Sequence, residues 1–228
     1  MKSKSTSKVM PKAYKKSNAG KKVSVCKSGT AAQAIGTIEK NTDTFVLTYG
    51  QFSLIDALMA ILDQTGPAHV CISTWTAAHA HLDRSMELMN GAEILSFRML
   101  VDRSFQSRQP GYYNHMIELF GADSVRAIRT HAKFMTIRNE KFDIVVRTSM
   151  NLNENPRLEN IEVSENKDFA EFFESIVDGV FSEVEPGENK SDLPGLDNIV
   201  NNQFQLVAGD YIKRRNLNEP RYSHTIFN

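Results

Sequence analysis

From residue 44 onward, apolar positions along the chain follow the periods of β-strands and of helices in turn. Short apolar runs rich in β-branched residues predict three strands: Thr44–Thr48, Ala68–Thr74 and Ile94–Val101. Between and after them, apolar residues recur every three or four positions, which predicts three helices: Phe52–Asp63, the segment after Thr76 to about Asn90, and Tyr112–Phe120. Thr76 is placed to cap the second helix, and Gly91 and Gly121 to end the second and third.

After residue 124 the pattern becomes richer in strands. The β-rich stretches are Val125–Thr130, His131–Arg138, Phe142–Thr148 and Ile161–Val163, followed by an amphipathic helix over Asp168–Val184. The alternation predicts a single α/β domain over residues 40–184. We expect a disordered basic tail over 1–35 and a linker over 185–195. Residues 196–228 form a C-terminal extension, and the pattern leaves open whether it packs on the domain, packs on a partner subunit or stays loose.

The charge of the chain is unevenly spread. Residues 1–30 carry nine lysines and no acidic residue, so the rest of the chain has 18 basic side chains against 27 acidic ones. A polycationic segment joined to an acidic body suits a polyanionic partner such as nucleic acid, because each neutralised phosphate releases counterions. A segment that serves only solubility has the same composition, so the charge alone leaves both interpretations open.

The remaining composition favours a cytoplasmic protein, bacterial or in a phage-infected host cell. Cys26 and Cys71 are too few for a disulfide framework. The basic start lacks the apolar stretch of a secretion signal. The longest apolar segment, Phe52–Leu62, is far shorter than the roughly 20 residues that cross a bilayer. No membrane partner is therefore predicted.

Polar side chains with a common chemistry follow in two neighbouring stretches. In THAKFMTI, His131 and Lys133 are two residues apart in a predicted strand, so both side chains leave the same face. The next strand, FDIVVRTSMN, delivers Ser149 and Asn151 to its carboxyl end. Such a set suits a phosphodiester: imidazole is a nucleophile near neutral pH, an ammonium offsets phosphate charge, and a hydroxyl and an amide donate hydrogen bonds.

The pattern H-x-K, a hairpin, S-x-N and a following glutamate resembles the phospholipase D superfamily, whose usual form is H-x-K-x4-D-x6-G-S-x-N. The string TSMNLNENPRLEN, with the upstream segments STWT and LVDRSF, is most similar to phospholipase-D-like proteins of bacteriophages and prophages. The resemblance implies a mixed β-sheet flanked by helices on both faces. It also implies a phosphodiesterase that needs no metal and no cofactor and that works through a covalent phosphohistidine.

Carried over residue by residue, the resemblance gives each side chain a role. His131 is the nucleophile or the acid, Lys133 and Asn151 hold the phosphate, and Ser149 supports the site. A downstream glutamate orients the imidazole, and Glu159 is preferred to Glu162 for that position.

The family uses two H-x-K motifs, and this chain has one. The economical solution is a homodimer in which one His131 from each subunit meets across a two-fold axis. The single motif, the basic segment and the lack of an apolar span favour a nuclease over a lipase, with DNA preferred to RNA as the substrate. A structural protein of the phage particle is a third class that the sequence leaves open.

Two positions depart from the family pattern. The aspartate expected five residues after Lys133 is Arg138, and the glycine expected before Ser149 is Thr148. The spacing between Lys133 and Ser149 is also about three residues longer than usual. These departures keep an alternative open, in which the chain is a catalytically degenerate member that binds DNA without cutting it.

Further residues are candidates for substrate binding. Arg147 adds positive charge beside the motif, Trp75 at a strand end can stack on a base or pack in the core, and Arg103 and Arg108 flank a loop that can line a phosphate-binding groove. The pair His79 and His81 is a poor metal site, because residues two apart on a helix face different directions, so no metal is predicted.

Overall fold

The computed structural model describes residues 18–91, 93–152 and 156–188, together with the backbone of two short strands nearer the termini. The elements in chain order are β1 Lys12–Ala13, β2 Gly20–Cys26, α1 Ala31–Ile35, β3 Thr42–Thr48, α2 Leu54–Thr65, β4 Ala68–Thr74, α3 His79–Asn90, β5 Ile94–Asp102, α4 Ser104–Arg108, α5 Pro110–Phe120, a 3₁₀ turn Ala122–Ser124, β6 Val125–Ile128, β7 Phe134–Arg138, β8 Asp143–Thr148, β9 Glu159–Glu165, α6 Lys167–Glu183 and β10 Gln205–Leu206.

Eight strands form one mixed sheet in the order β2-β3-β9-β8-β7-β4-β5-β6. The pairs β2/β3, β4/β5 and β5/β6 are parallel, and the pairs that link β3, β9, β8, β7 and β4 are antiparallel. Six strands therefore point the same way, and β7 and β9 run against them. The carboxyl ends of β2, β3, β4, β5, β6 and β8 share one edge with the amino ends of β7 and β9. We call this the carboxyl edge of the sheet.

Helices cover both faces of the sheet, which confirms the predicted α/β architecture. On one face, α1 to α5 pack on the larger core, where Leu58 and Met116 are completely buried. On the other face, α6 packs Val177 and Val180 against Cys71 and Leu100. Burial raises the pKa of the Cys71 thiol, so this cysteine is a core residue rather than a reactive one. None of the helices in the described ranges is both long and apolar enough to span a bilayer.

The prediction that Thr76 caps α3 is wrong. The helix begins at His79 and its N-cap residue is Ala78, which makes no side-chain cap. The segment before the helix is held extended by two backbone hydrogen bonds, from Leu152 N to Thr76 O at 3.2 Å and from Ala78 N to Leu152 O at 2.7 Å. The Thr76 hydroxyl instead donates to Gln109 Oε1 at 3.2 Å. A long-range pairing thus delays the start of the helix, and sequence pattern does not show such a pairing.

The predicted disordered tail over residues 1–35 is wrong for residues 18–35, which include β2 and α1. Lys21 forms an ion pair with Asp43, and Lys22 Nζ lies 2.8 Å from Glu39 Oε1. An edge strand tolerates lysines because one of its sides is unpaired, and the lysines hid the strand period. Residues 1–17 and 189–228, including part of the predicted linker and all of the C-terminal extension, lie outside the described residues. The exception is the backbone of β1 and β10, which pair antiparallel.

Candidate functional site

The carboxyl edge gathers the predicted reactive residues from three neighbouring strands. His131 and Lys133 come just before β7, Ser149 and Asn151 come just after β8, and Glu159 is the first residue of β9. These strands are adjacent in the sheet, and adjacent strands are about 4.8 Å apart. The direction of the strands therefore brings together an imidazole, an ammonium, a hydroxyl, a carboxamide and a carboxylate.

The sequence predicts that His131 and Lys133 lie within a strand, and this prediction is wrong. The strand β7 begins only at Phe134. The chain leaves β6 at one end of the sheet and must pass the ends of β5 and β4 to reach its place beside β8. Residues 129–133 make this crossing along the carboxyl edge, and we call them the crossing segment. At its far end the crossing segment joins the hydrogen-bond ladder between β7 and β8, because Thr148 N donates to Lys133 O at 3.2 Å.

Side chains of the strands that it passes hold the crossing segment in place. The buried Asp102, at the end of β5, accepts a hydrogen bond from Thr130 N at 3.1 Å through Oδ2 and one from Ser104 N at 2.9 Å through Oδ1. The Thr130 hydroxyl then accepts from Ala132 N at 3.1 Å. From β4, Ser73 Oγ donates to Ala132 O at 2.8 Å. These hydrogen bonds fix the backbone of Thr130 and of Ala132, and therefore the chain on both sides of His131.

Asp102 and Ser73 hold the crossing segment, and sequence reasoning did not single them out. The available signal was an acidic residue at the end of an apolar strand, within the LVDRSF segment. Burying a carboxylate costs free energy unless it accepts hydrogen bonds. Asp102 accepts one from Thr130, 28 positions further along the chain, and one from the nearby Ser104. Among the described residues, Asp102 contacts the backbone of the crossing segment next to His131 and none of the predicted reactive side chains.

The histidine and lysine of the motif lie side by side. Lys133 Nζ is 3.5 Å from His131 Nδ1 and 3.4 Å from the His131 carbonyl oxygen. Burial lowers the pKa of Lys133 from its usual value, and the Glu159 carboxylate opposes that shift. The His131 ring is exposed, and its centroid is 5.7 Å from that of the Trp75 indole. The edge therefore presents a solvent-accessible imidazole beside a half-buried cation.

Glu159 holds the serine of the motif. The Ser149 hydroxyl donates to Glu159 Oε2 and accepts from Asn160 N at 3.0 Å. The buried Glu159 carboxylate also lies 3.5 Å from Arg157 Nε. Within the described part of the chain, the contacts of Glu159 are with Ser149 and Arg157 rather than with the His131 ring. The prediction that Glu159 orients the imidazole stays a prediction. Glu162, the less favoured candidate, forms an ion pair with Arg147 instead.

Asn151 is half-buried, and its Oδ1 atom has no hydrogen-bond partner among the described residues. The chain beyond it is anchored, because Leu152 N donates to Thr76 O. Leaving a buried carboxamide atom unpaired costs about 1–3 kcal/mol, so this oxygen is free to accept a hydrogen bond from a bound molecule or from water. The position of Asn151 is compatible with the predicted contact to a phosphate.

The two departures from the family pattern leave the reactive groups intact. Arg138 lies at the opposite end of β7, five residues and about 17 Å from Lys133, where its Nε donates to Asp143 Oδ1 at 2.7 Å. Thr148 braces the turn that carries Ser149. Its hydroxyl donates to Asn160 O at 2.6 Å and accepts from Met150 N at 3.0 Å. The first departure is remote from the site, and the second supports it.

Of the predicted substrate-binding residues, Trp75 and Arg103 lie at the carboxyl edge, whereas Arg147 is paired within the protein. Trp75 follows β4 directly and is covered by Arg108, whose guanidinium carbon is 4.0 Å from the ring centroid. Arg103 follows β5 directly. Arg147 lies on the face covered by α6, where it pairs with Glu162 and stacks on Phe169 at 4.8 Å. The charge of Arg147 is therefore already neutralised within the protein.

Other polar features lie away from this group. His79 stacks on His115 with centroids 4.5 Å apart, and no group of three or more His, Cys, Asp and Glu side chains in the described ranges is arranged to hold a metal ion. A cleft of about 800 Å³ opens at the other edge of the sheet, beside the turn between β7 and β8. Two ion pairs lie in its wall, between Arg98 and Glu174 and between Arg138 and Asp143.

The solved structures that are similar to this chain include those of Nuc and NucT. Nuc from Salmonella typhimurium, a phospholipase D family member, is 16% identical, with 52% of this chain and 80% of Nuc covered at a TM-score of 0.38. NucT from Helicobacter pylori is 13% identical, with 63% of this chain and 99% of NucT covered at a TM-score of 0.44. No family model and no curated protein matches the sequence. At this level of similarity, the activity of the chain has to be inferred from its own side chains.

Proposed function

We propose that the protein is a phosphodiesterase that cleaves nucleic acid, with DNA preferred, through a covalent phosphohistidine and without a metal ion. One observation supports this most strongly. Four side chains that suit a phosphodiester, His131, Lys133, Ser149 and Asn151, come from separate segments and meet at one edge of the sheet. Buried supports from Asp102 and Glu159 hold that arrangement.

In the first step, an unprotonated nitrogen of His131 attacks phosphorus and the bond to one ester oxygen breaks. The histidine of the second subunit gives a proton to that leaving oxygen. In the second step, water attacks the phosphohistidine, the phosphorus–nitrogen bond breaks, and the proton of the water returns to the second histidine. Lys133 and the Asn151 amide stabilise the negative charge that develops on the non-bridging oxygens.

Two such histidines require two chains, since each chain has one H-x-K motif. His131 is exposed at the carboxyl edge, so a second copy related by a two-fold axis can bring its own His131 against it. The proposed active unit is a homodimer with one reactive centre shared between two subunits.

Nucleic acid is the proposed polyanion because the basic residues lie where a phosphate chain would approach. Arg103 and Arg129 follow β5 and β6 at the same edge as His131. Binding without cutting remains the second candidate function. It is less favoured because Arg138 and Thr148, the two positions that suggested degeneracy, leave the reactive side chains in place.

The proposal is tested by incubating the purified protein with single- and double-stranded DNA and with RNA in an excess of EDTA. We expect cleavage in EDTA at the rate seen without it, because Lys133 and the amide provide the charge stabilisation. The products are resolved on a denaturing gel. Binding without cleavage in every condition, including added Mg²⁺ or Mn²⁺, would support the DNA-binding alternative, and cleavage only with added metal would refute the proposed mechanism.

The electrostatic coupling between Glu159 and Lys133 predicts a change in pH dependence. Because the Glu159 carboxylate raises the pKa of Lys133, the Glu159→Gln variant has a Lys133 that loses its proton at lower pH. The proposed mechanism needs Lys133 charged, so the alkaline limb of the pH–rate profile should move toward neutral pH. Glu162→Gln is the matched control, since Glu162 pairs with Arg147. A shift toward higher pH, or equal shifts in both variants, would contradict this assignment.

A further inference from the structure

Three parallel strands lie beyond the reactive group along the carboxyl edge, and each is followed by a residue suited to nucleic acid. Trp75 follows β4, Arg103 follows β5, and Arg129 follows β6. Since these strands are neighbours and parallel, the three residues form a row that starts next to His131. The ends of β5 and β6 lie about 5 and 10 Å beyond that of β4.

The arginines of this row differ from the others in the described ranges. The six others form ion pairs with carboxylates or are buried against backbone carbonyls: Arg84, Arg98, Arg126, Arg138, Arg147 and Arg157. Arg103, Arg108 and Arg129 have no carboxylate partner in the described part of the chain, and all three lie on this stretch of the edge. Cations without internal partners are available to phosphates.

Trp75 is built as a stacking surface. Arg108 lies 4.0 Å from its ring centroid and also donates to the Trp75 carbonyl oxygen at 3.3 Å, so the side chains form a fixed layer. The Arg108 Nε is held in turn by Ser104 Oγ at 3.0 Å. The layer is half-exposed and its indole is 5.7 Å from the His131 ring. A base attached next to the reacting phosphate would meet the indole or the guanidinium plane.

We propose that the substrate is single-stranded nucleic acid, held with one base on the Trp75–Arg108 layer and the following phosphates on Arg103 and Arg129. A duplex covers both faces of each base with its neighbours, so it cannot offer a face to the indole without unstacking. This inference takes the position of the reacting phosphate from the proposed function, but the binding that it describes does not depend on cleavage.

Binding is best measured on the His131→Ala chain, so that the substrate survives the measurement. Trp75 is the only tryptophan of the chain, so its intrinsic fluorescence reports stacking directly. Titration with oligo(dT) should quench the tryptophan emission with saturation, and a hairpin duplex of equal phosphate number should bind at least about tenfold more weakly. Saturable single-strand binding without a change in emission, or equal affinity for the duplex, would overturn the inference.

Variants separate stacking from charge. Trp75→Ala should weaken single-strand binding, followed by anisotropy of a labelled oligonucleotide, by about 5- to 150-fold, and Trp75→Phe should recover most of it. Arg129→Gln should lower the slope of log affinity against log salt by about 0.7, one phosphate contact. Arg84→Gln is the matched control, because Arg84 pairs with Glu87 on the exposed surface of α3. If Trp75→Ala matches this control, the stacking layer is not a binding site.

The two proposals fail in different ways. Quenching by single strands in the His131→Ala chain, together with no cutting by the unaltered protein, would retain this inference and reject the enzyme. Equal cutting of single strands and duplex by the unaltered protein and by Trp75→Ala would retain the enzyme and reject the stacked single strand. Absence of any binding to nucleic acid would overturn this inference.

Discussion

The His131→Ala variant is expected to lose DNA cleavage almost completely, by roughly 10⁴-fold or more, while its affinity for DNA stays within about twofold. In the proposed mechanism the imidazole forms the covalent bond to phosphorus, whereas the proposed charge and stacking that bind the strand come from other residues. Single-turnover cleavage of a labelled oligonucleotide gives the rate, and anisotropy gives the affinity.

A histidine from the opposite edge of the sheet supplies the control. His69 is exposed and bonded to Ser96 Oγ at 2.7 Å, and His69→Ala should cut at the rate of the unaltered protein. Cleavage by His131→Ala at more than a few per cent of the normal rate would remove His131 from the chemistry. Equal loss in both variants would point to a general effect of histidine removal on folding, which circular dichroism would detect.

When unaltered and His131→Ala subunits are mixed, we expect the cleavage activity to fall more steeply than the fraction of unaltered chains. If each reactive centre uses one His131 from each of two chains, a dimer with one His131→Ala subunit is inactive. After subunit exchange, activity should then fall with the square of the fraction of unaltered chains. A half-and-half mixture should keep about one quarter of the activity, where independent centres would keep about one half. Cleavage rates across a series of mixing ratios distinguish the two curves.

The same series with His69→Ala should leave activity unchanged at every ratio, which verifies that exchange itself does no damage. Analytical ultracentrifugation of the unaltered protein should give a mass near twice 25.7 kDa. A linear decline in the mixing series, or an active species with the mass of one chain, would show that a single His131 suffices and would refute the shared centre.

Much of the fold could be predicted because its determinants are local. Apolar periodicity marks α2, α5 and α6, and β-branched runs mark β3, β4 and β5, so strands and helices alternate visibly along the chain. Period-two alternation in β2 was hidden by its lysines, because their partners Asp43 and Glu39 lie on other segments. Composition describes a residue's charge but not the group that neutralises it.

The candidate site was predictable for a similar reason and only up to a similar point. His131, Lys133, Ser149 and Asn151 are recognisable because their spacing is fixed by two short segments. The support from Asp102 to Thr130 spans 28 positions, and it exists only because β5 lies between β6 and β7 in the sheet. Likewise, Arg147 reads as a free cation until its pairing with Glu162 is seen. The order of the strands in the sheet decides which distant residues contact the motif, and the motif itself does not contain that information.

The strand order also has a consequence for biosynthesis. β3 and β4 follow one another in the chain but are not neighbours in the sheet, since β9, β8 and β7 lie between them. While the chain emerges from the ribosome, the first 128 residues can form only two parallel groups, β2/β3 and β4/β5/β6, each with an open side. The last strand of the sheet ends at residue 165. A nascent chain therefore cannot assemble the candidate site at the carboxyl edge until β9 has been made, so any activity of this site can begin only after residue 165 has left the ribosome.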